Sequence, residues 1–258
     1  MKPKRTFYYS KAQNDDYETP PKALKKIGGN YPYVRNGFFP RLSAFIAYRM
    51  IATPIAFVYT RLIKRISFVN RSVLKPYLKK GYFIYSNHTQ VIGDALTPNI
   101  VVFPKRNYTV VSPANVSLPI MGNFTKLLGA LPLPDDLHAS KNFFKAIDTR
   151  INQGYSILIY PEAHVWPNYT KIRPFNDSSF KYPVKQETPA FAFTTTYQKK
   201  KRRGYKTVIY VDGPFVAPKG LSPKEQQVYL HSQVIQSMNE RVKKSNYEKY
   251  RYVQKEEV

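Results

Sequence analysis

YFIYSNHTQVIGDALTPNIVV (82–102) is the stretch whose reading decides the fold. Its first five residues, YFIYS (82–86), are almost all aromatic or β-branched, the composition of a short strand. Asn87 and His88 follow at once, Gly93 marks a turn, and 94–102 reads as a helix. A strand that passes through a short loop into a helix is half of a βαβ unit. The texture recurs downstream: YTVVS (108–112), YSILIY (155–160), AFAFTT (190–195) and TVIYVDG (207–213) read as strands, with helices predicted near 119–129 and 139–153. Near-continuous apolar runs belong to strands covered on both faces. The expected fold class is therefore α/β, a mostly parallel central sheet flanked by helices. SPKEQQVYLHSQVIQSMNERVKK (222–244) closes it as a long helix. Ser222 and Glu225 make a capping box around Pro223, and Val228, Ile235, Met238 and Val242 form the predicted apolar stripe.

Upstream of this domain, residues 1–40 are polar, basic and rich in Tyr and Pro, and are expected to form a loosely ordered arm. LSAFIAYRMIATPIAFVYT (42–60) is the most apolar stretch, close to the roughly 20 residues a spanning helix needs. Arg49 near its centre and Pro54 argue against a crossing. Two short amphipathic helices in the headgroup region fit better, with Arg61, Lys64 and Arg65 on one face toward phosphates. The expected organisation is an arm over 1–40, a membrane-docking helical pair over 41–69 and an α/β domain over 70–258.

Charge points the same way. Forty-one Lys and Arg against 16 Asp and Glu leave a net +25, and +14 of it lies in the first 80 residues. That asymmetry makes the amino-terminal part a docking end and predicts an anionic membrane surface as partner. KKKRRGYK (199–206), with the 15% aromatic content, is the best argument for a competing class, a basic RNA-binding protein. No RNP-type, zinc or helix-turn-helix signature accompanies it, so nucleic acid is not expected as a partner. The absence of cysteine excludes disulfides, thiolate metal sites and a cysteine nucleophile. Four histidines without metal-ligand spacing give no metal site. The opening MKPKRTFYYSKAQNDD lacks the apolar core of a signal peptide, and export by that route is not expected. The expected location is the cytoplasmic face of a membrane, docked rather than spanning.

His88 stands at the carboxyl end of a predicted strand, where open α/β sheets bind ligands, and Asp94 follows six residues later. A carboxylate that holds one imidazole nitrogen leaves the other to take a proton from an attacking hydroxyl. Alone, the spacing is commonplace, and most lone histidines are structural. A second constellation lies in YSILIYPEAHVWPNYTKIRPF (155–175): a strand ending in Tyr160, Pro161 and Glu162, then a long polar loop with His164, Lys171 and Arg173. Alone, Pro-Glu there is a turn with a solvated acid.

Taken in order, these residues resemble the glycerolipid acyltransferase family, of the lysophosphatidate acyltransferase type. Asn87, His88 and Asp94 match its first block, and Tyr160, Pro161 and Glu162 its second. Leu118, Pro119, Gly122 and Gly129 match the segment between them; Pro174, Phe175, Phe180, Thr188 and Pro189 match the landmarks after. The resemblance implies transfer of a fatty acyl group from acyl carrier protein or acyl-CoA to a lipid hydroxyl. It makes His88 the general base, Asp94 its orienting partner, and amides at the start of the next helix a support for the oxyanion, with no metal or cofactor. It places Asn87 and Glu162 at substrate binding, and the loop cations His164, Lys171 and Arg173 are candidates for the same role.

The chain also departs from the family. Five residues, Thr89 to Gly93, separate His88 from Asp94 where four are usual. Ala163, His164 and Val165 replace Gly-Thr-Arg. The Arg expected soon after Gly129 is absent, with Asp135 near its place, and a family lysine has no counterpart among Ser112, Pro113, Ala114 and Asn115. Those groups usually anchor an acceptor phosphate. The acceptor is thus open between a lysophosphatidate-like lipid, held by Lys171, Arg173 and protonated His164, and a glycolipid or neutral lipid. A catalytically inactive membrane-docking relative is the remaining reading.

Overall fold

The protein is described here by a computed structural model covering residues 5–17, 24–117 and 121–255. Within them the strands are β1 (Thr6–Tyr9), β2 (Ser67–Val69), β3 (Tyr82–Ser86), β4 (Asn107–Val111), β5 (Ala130–Pro132), β6 (Ser156–Ile159), β7 (Ala190–Lys199), β8 (Tyr205–Phe215) and β9 (Arg251–Gln254). Strands β2 to β8 form one sheet in the order β2-β8-β7-β3-β6-β4-β5. All its neighbours are parallel except β7 and β8, an antiparallel hairpin. This is the expected α/β architecture. β3 lies at its centre and is buried at every position. Phe83 and Tyr85 enter one core with the helices Leu137–Asn152 and Pro223–Val242, and Tyr82 and Ile84 enter another with the helix Gly93–Val102. Strand alternation thus feeds two cores, which is why the run contains almost no polar residue.

The strands read from sequence stand within a few residues of their expected bounds. β2 and β5, three residues each on the sheet's edges, are too short to carry a periodic signal. Helix Met121–Leu127 lies inside the expected 119–129, while the landmarks Leu118 and Pro119 fall outside the described residues. The capping box of the last helix is present, but its inner stripe is Leu230, Val234 and Met238. Val228, expected inside, is exposed. The i, i+4, i+8 run meets β7, and the true stripe is rotated from the predicted one.

Two expectations about the amino-terminal part are corrected. The described arm residues are not loose. β1 pairs in parallel with β9, Phe7 stacks on Tyr252, and Tyr17 packs against Trp166. Ile27 is fully buried, and its amide donates to Asp135 at 2.6 Å. The tyrosines that gave the arm its unusual composition are its adhesive.

Nor are there two short helices. Phe38–Ile63 is one helix of 26 residues, long and apolar enough to cross a membrane by length and composition. Pro54 sits in the α-helical segment Thr53–Phe57, directly after a wide π-type turn over Ile46–Ala52. There the hydrogen-bond ladder is already re-phased, and the Thr53 hydroxyl donates to the Tyr48 carbonyl at 2.8 Å. The helix ends at Ile63, and Arg65 is in the left-handed region, so Arg61, Lys64 and Arg65 do not share one helical face. Ala47, Tyr48, Ala52, Ala56 and Thr60 are buried against the body, including the Gly93–Val102 helix, while Phe38, Phe39, Phe45, Met50, Ile55 and Leu62 face outward.

Because Ala56 is fully buried against the body, Ala56→Leu is expected to lower stability by about 1–3 kcal/mol in urea unfolding. Ile55→Ser, on the outer face, is expected to stay within about 0.5 kcal/mol of the parent in the same measurement.

Candidate functional site

Asn87 continues β3 past its end. Its Nδ2 donates to the Thr195 carbonyl at 3.1 Å, and its Oδ1 accepts from the Thr195 amide at 2.8 Å. The side chain imitates a strand residue and locks the exit of β3 to β7. Asn87 is buried and fully engaged there, so the substrate contact expected of it is corrected to a positioning role.

The chain then turns so that His88 Nδ1 lies 2.8 Å from Asp94 Oδ2. The same oxygen accepts the amides of Thr89 at 2.9 Å and Gln90 at 2.8 Å. A carboxylate oxygen surrounded by donors is an acceptor only, so Nδ1 carries the proton and Nε2 keeps its lone pair. Nε2 has no hydrogen-bond partner among the described residues, and the imidazole side chain retains 20% of its surface. The extra residue between His88 and Asp94 is absorbed by a wide turn closed from the Asp94 amide to the Gln90 carbonyl at 3.0 Å. Gly93 is needed there: a Cβ would stand 2.5 Å from Gln90 Oε1, the side chain folded over Asp94.

Three further groups fix the imidazole. Tyr160 stacks on it with centroids 4.1 Å apart and 18° between planes. The Tyr160 hydroxyl donates to the Asp94 carbonyl at 2.7 Å, and burial beside Asp94 pushes its pKa well up, keeping it a donor. The His88 carbonyl accepts the Trp166 amide at 3.0 Å. Tyr197 reaches Thr89 through both its hydroxyl, at 2.8 Å, and its carbonyl, at 3.1 Å. Sequence reasoning missed Trp166 and Tyr197, and treated Tyr160 only as a landmark. An aromatic residue at the end of β6, two before Glu162, was the one available signal.

Glu162 shares the rim but is buried there. Its oxygens accept the His88 amide at 3.1 Å, the Arg173 amide at 3.0 Å and Arg173 Nη2 at 3.4 Å. Burial pushes its carboxyl upward, opposed by Arg173 and the two amides. With three donors converging on it, the group is the carboxylate of a buried ion pair. Arg173 also donates to the carbonyls of Ala12 and His164, and lies over the Trp166 ring at 4.9 Å. Both side chains are closed to solvent. The substrate-binding roles expected of Glu162 and Arg173 are therefore corrected: together they brace the loop behind His88. His164 is turned to Asp16, with Nδ1 3.0 Å from Oδ2, and Lys171 is solvent-exposed. The structure brings together His88, Asp94, Glu162 and Arg173, and leaves His164 and Lys171 outside that cluster. Of the amides around this turn, Thr89 and Gln90 donate to Asp94, and at the start of the helix Asp94 and Ala95 donate to carbonyls of the turn.

A family model described as Acyltransferase matches residues 63–196, just over half of the chain and inclusive of both constellations. Among solved structures the chain is similar to the 1-acyl-sn-glycerophosphate (LPA) acyltransferase PlsC from Thermotoga maritima, at 16% identity and a TM-score of 0.49, over 70% of this chain and 74% of that one. No match exists among curated proteins.

Arg173→Met strands the Glu162 charge in the interior. Its expected cost is about 3–5 kcal/mol in urea unfolding.

Proposed function

This chain belongs to the acyltransferase family, and we propose that it moves a fatty acyl group from an acyl thioester to a lipid hydroxyl, with His88 as general base and Asp94 as its orienting partner. The observation that carries the proposal is the 2.8 Å contact between His88 Nδ1 and Asp94, which leaves Nε2 as the acceptor nitrogen of a part-exposed imidazole. The acceptor hydroxyl gives its proton to Nε2 while its oxygen attacks the thioester carbonyl. The carbon–sulfur bond breaks as the tetrahedral intermediate collapses, and the imidazolium returns the proton to the departing thiolate. Products are an ester and a free thiol, and atoms balance without a covalent enzyme intermediate. Asp94 holds the imidazole in orientation and stabilises the imidazolium. Donors of this chemistry, acyl carrier protein and acyl-CoA, are both anionic and suit a chain of net charge +25.

Between the two acceptor classes, the engagement of Arg173 with Glu162 and of His164 with Asp16 favours a glycolipid or neutral hydroxyl over a lysophosphatidate-like lipid. Only Lys171, of the three loop cations considered, is held by neither pair. The outward apolar face of Phe38–Ile63 supports docking into one leaflet, on the cytoplasmic side by the charge argument. Its other face is packed on the body, which opposes a crossing surrounded by lipid.

His88→Ala is expected to lower acyl transfer by roughly 10²–10⁴-fold with an unchanged melting temperature. Asp94→Asn is expected to lose activity in the same range, because the neutral amide no longer fixes the tautomer. Both are read in an assay of both donor types against lysophosphatidate, lysophospholipid and glycolipid acceptors. Wild-type turnover in folded His88→Ala would overturn the assignment, and transfer to none of these acceptors by the parent would favour an inactive docking relative.

A further inference from the structure

A cavity of about 710 Å³ opens between the start of the long helix and the amino ends of β4 and β6. Arg106 precedes β4 and Tyr155 precedes β6, whereas His88 follows the carboxyl end of parallel β3. At roughly 3.3 Å per residue, the level of Tyr155 and that of His88 lie on the order of 20 Å apart along the strands. The cavity is on the opposite rim from the dyad.

Arg35, Arg41, Arg49, Arg106, Lys126 and Arg150 line it, and no Asp or Glu does among the described residues. Cations on a protein surface normally spread apart or face carboxylates. Here Arg106 and Arg150 lie over the same Tyr108 ring, at 5.0 and 4.6 Å, and Arg106 also over Tyr48 at 4.8 Å. Their other bonds cancel no charge. Arg106 donates to the Leu127 carbonyl at 2.6 Å, Arg150 to Gln153 Oε1 at 2.9 Å, and Arg49 to the Pro104 carbonyl. Nη1 of Arg49, Nε of Arg106, Nε of Arg150 and the Tyr31 hydroxyl are buried without a partner among the described residues. Burial lowers the Arg150 pKa, and repulsion from Arg106 and Arg41 adds to it. Guanidinium groups gathered around one cavity repel each other, and an anion between them offsets that repulsion.

We propose that this cavity binds a phosphate-bearing anion at a site separate from the acyl-transfer site. Planar guanidinium forks match phosphate oxygens in pairs, and several converging cations suit a doubly charged phosphomonoester or a pyrophosphate. The phosphate comes from an anionic lipid headgroup or from a soluble molecule. Phe38, Leu42 and Phe45 of the outward apolar helix border the same cavity, which puts a headgroup source within reach.

The test is calorimetric titration of the full chain with inorganic pyrophosphate at near-physiological salt. Saturable binding of one equivalent is expected. Arg106→Gln with Arg150→Gln is expected to weaken it by at least about ten-fold. Lys199→Gln, Lys200→Gln and Lys201→Gln together, on the β7–β8 hairpin, remove more charge and are expected to stay within about two-fold. If circular dichroism shows that the double arginine variant does not fold, Arg35→Gln with Arg41→Gln carries the same expectation. Flotation with phosphatidylcholine vesicles, with and without phosphatidate, identifies the source. Loss of phosphatidate-dependent flotation in the arginine variant assigns the headgroup, and retained flotation with lost pyrophosphate binding assigns a soluble phosphate. Absence of saturable binding, or an equal loss in the hairpin variant, overturns the site. A parallel fall of acyl transfer in neutral detergent overturns its separateness. Binding is read directly, so failure of the acyltransferase assignment leaves this result standing.

Discussion

β3 and β6 pair in parallel from Tyr82 with Ser156 to Tyr85 with Ile159, and that register brings the chain leaving each strand to one rim. Everything at the site follows from it. His88 leaves β3 and Glu162 leaves β6 close enough for the Glu162 carboxylate to accept the His88 amide. That carboxylate is buried, and burial alone would protonate or expel it. Arg173 returns from the long loop to hold it, and in doing so fixes the loop's path beneath the imidazole. The backbone of His88 therefore rests on an ion pair closed to solvent.

The same economy of position explains the long helix. A helix with small residues inward and large apolar ones outward inverts the usual surface pattern. Ala47, Ala52, Ala56 and Thr60 let its backbone approach the body closely, while the large apolar side chains of the outer face are exposed among the described residues. Its first turns also wall the arginine cavity, so the apolar face and a cluster of positive charge meet there. The adjacency suits an interface where hydrocarbon and phosphate lie a few ångströms apart.

The sheet was legible because β3, β6 and β7 are buried on both faces and spell that out as continuous apolar runs. The dyad was legible because His88 directly follows such a run. Edge strands β2 and β5 were not, since three residues hold no period. The pairing of β1 with β9 joins the two ends of the described chain, a contact that no local pattern announces. Charge was the most misleading signal. Glu162 and Arg173 look like solvent-facing substrate contacts in sequence, and only the return of the loop makes them partners. Asn87 likewise reads as a polar site residue, until the Thr195 backbone is seen to occupy both ends of its amide.

The six-residue step from His88 to Asp94 shows why spacing is a poor surrogate for geometry. Asp94 is not held where it is by counting residues. It is held by the donors around one oxygen: the imidazole and the amides of Thr89 and Gln90. An inserted residue lengthens the turn, but a turn closed between Asp94 and Gln90 takes up the length without moving the carboxylate from those donors. The cost appears elsewhere, in the amides of Thr89 and Gln90, both committed to Asp94. A longer loop thus keeps the His88–Asp94 contact intact while committing four of its amides, those of Thr89, Gln90, Asp94 and Ala95, to acceptors within the turn.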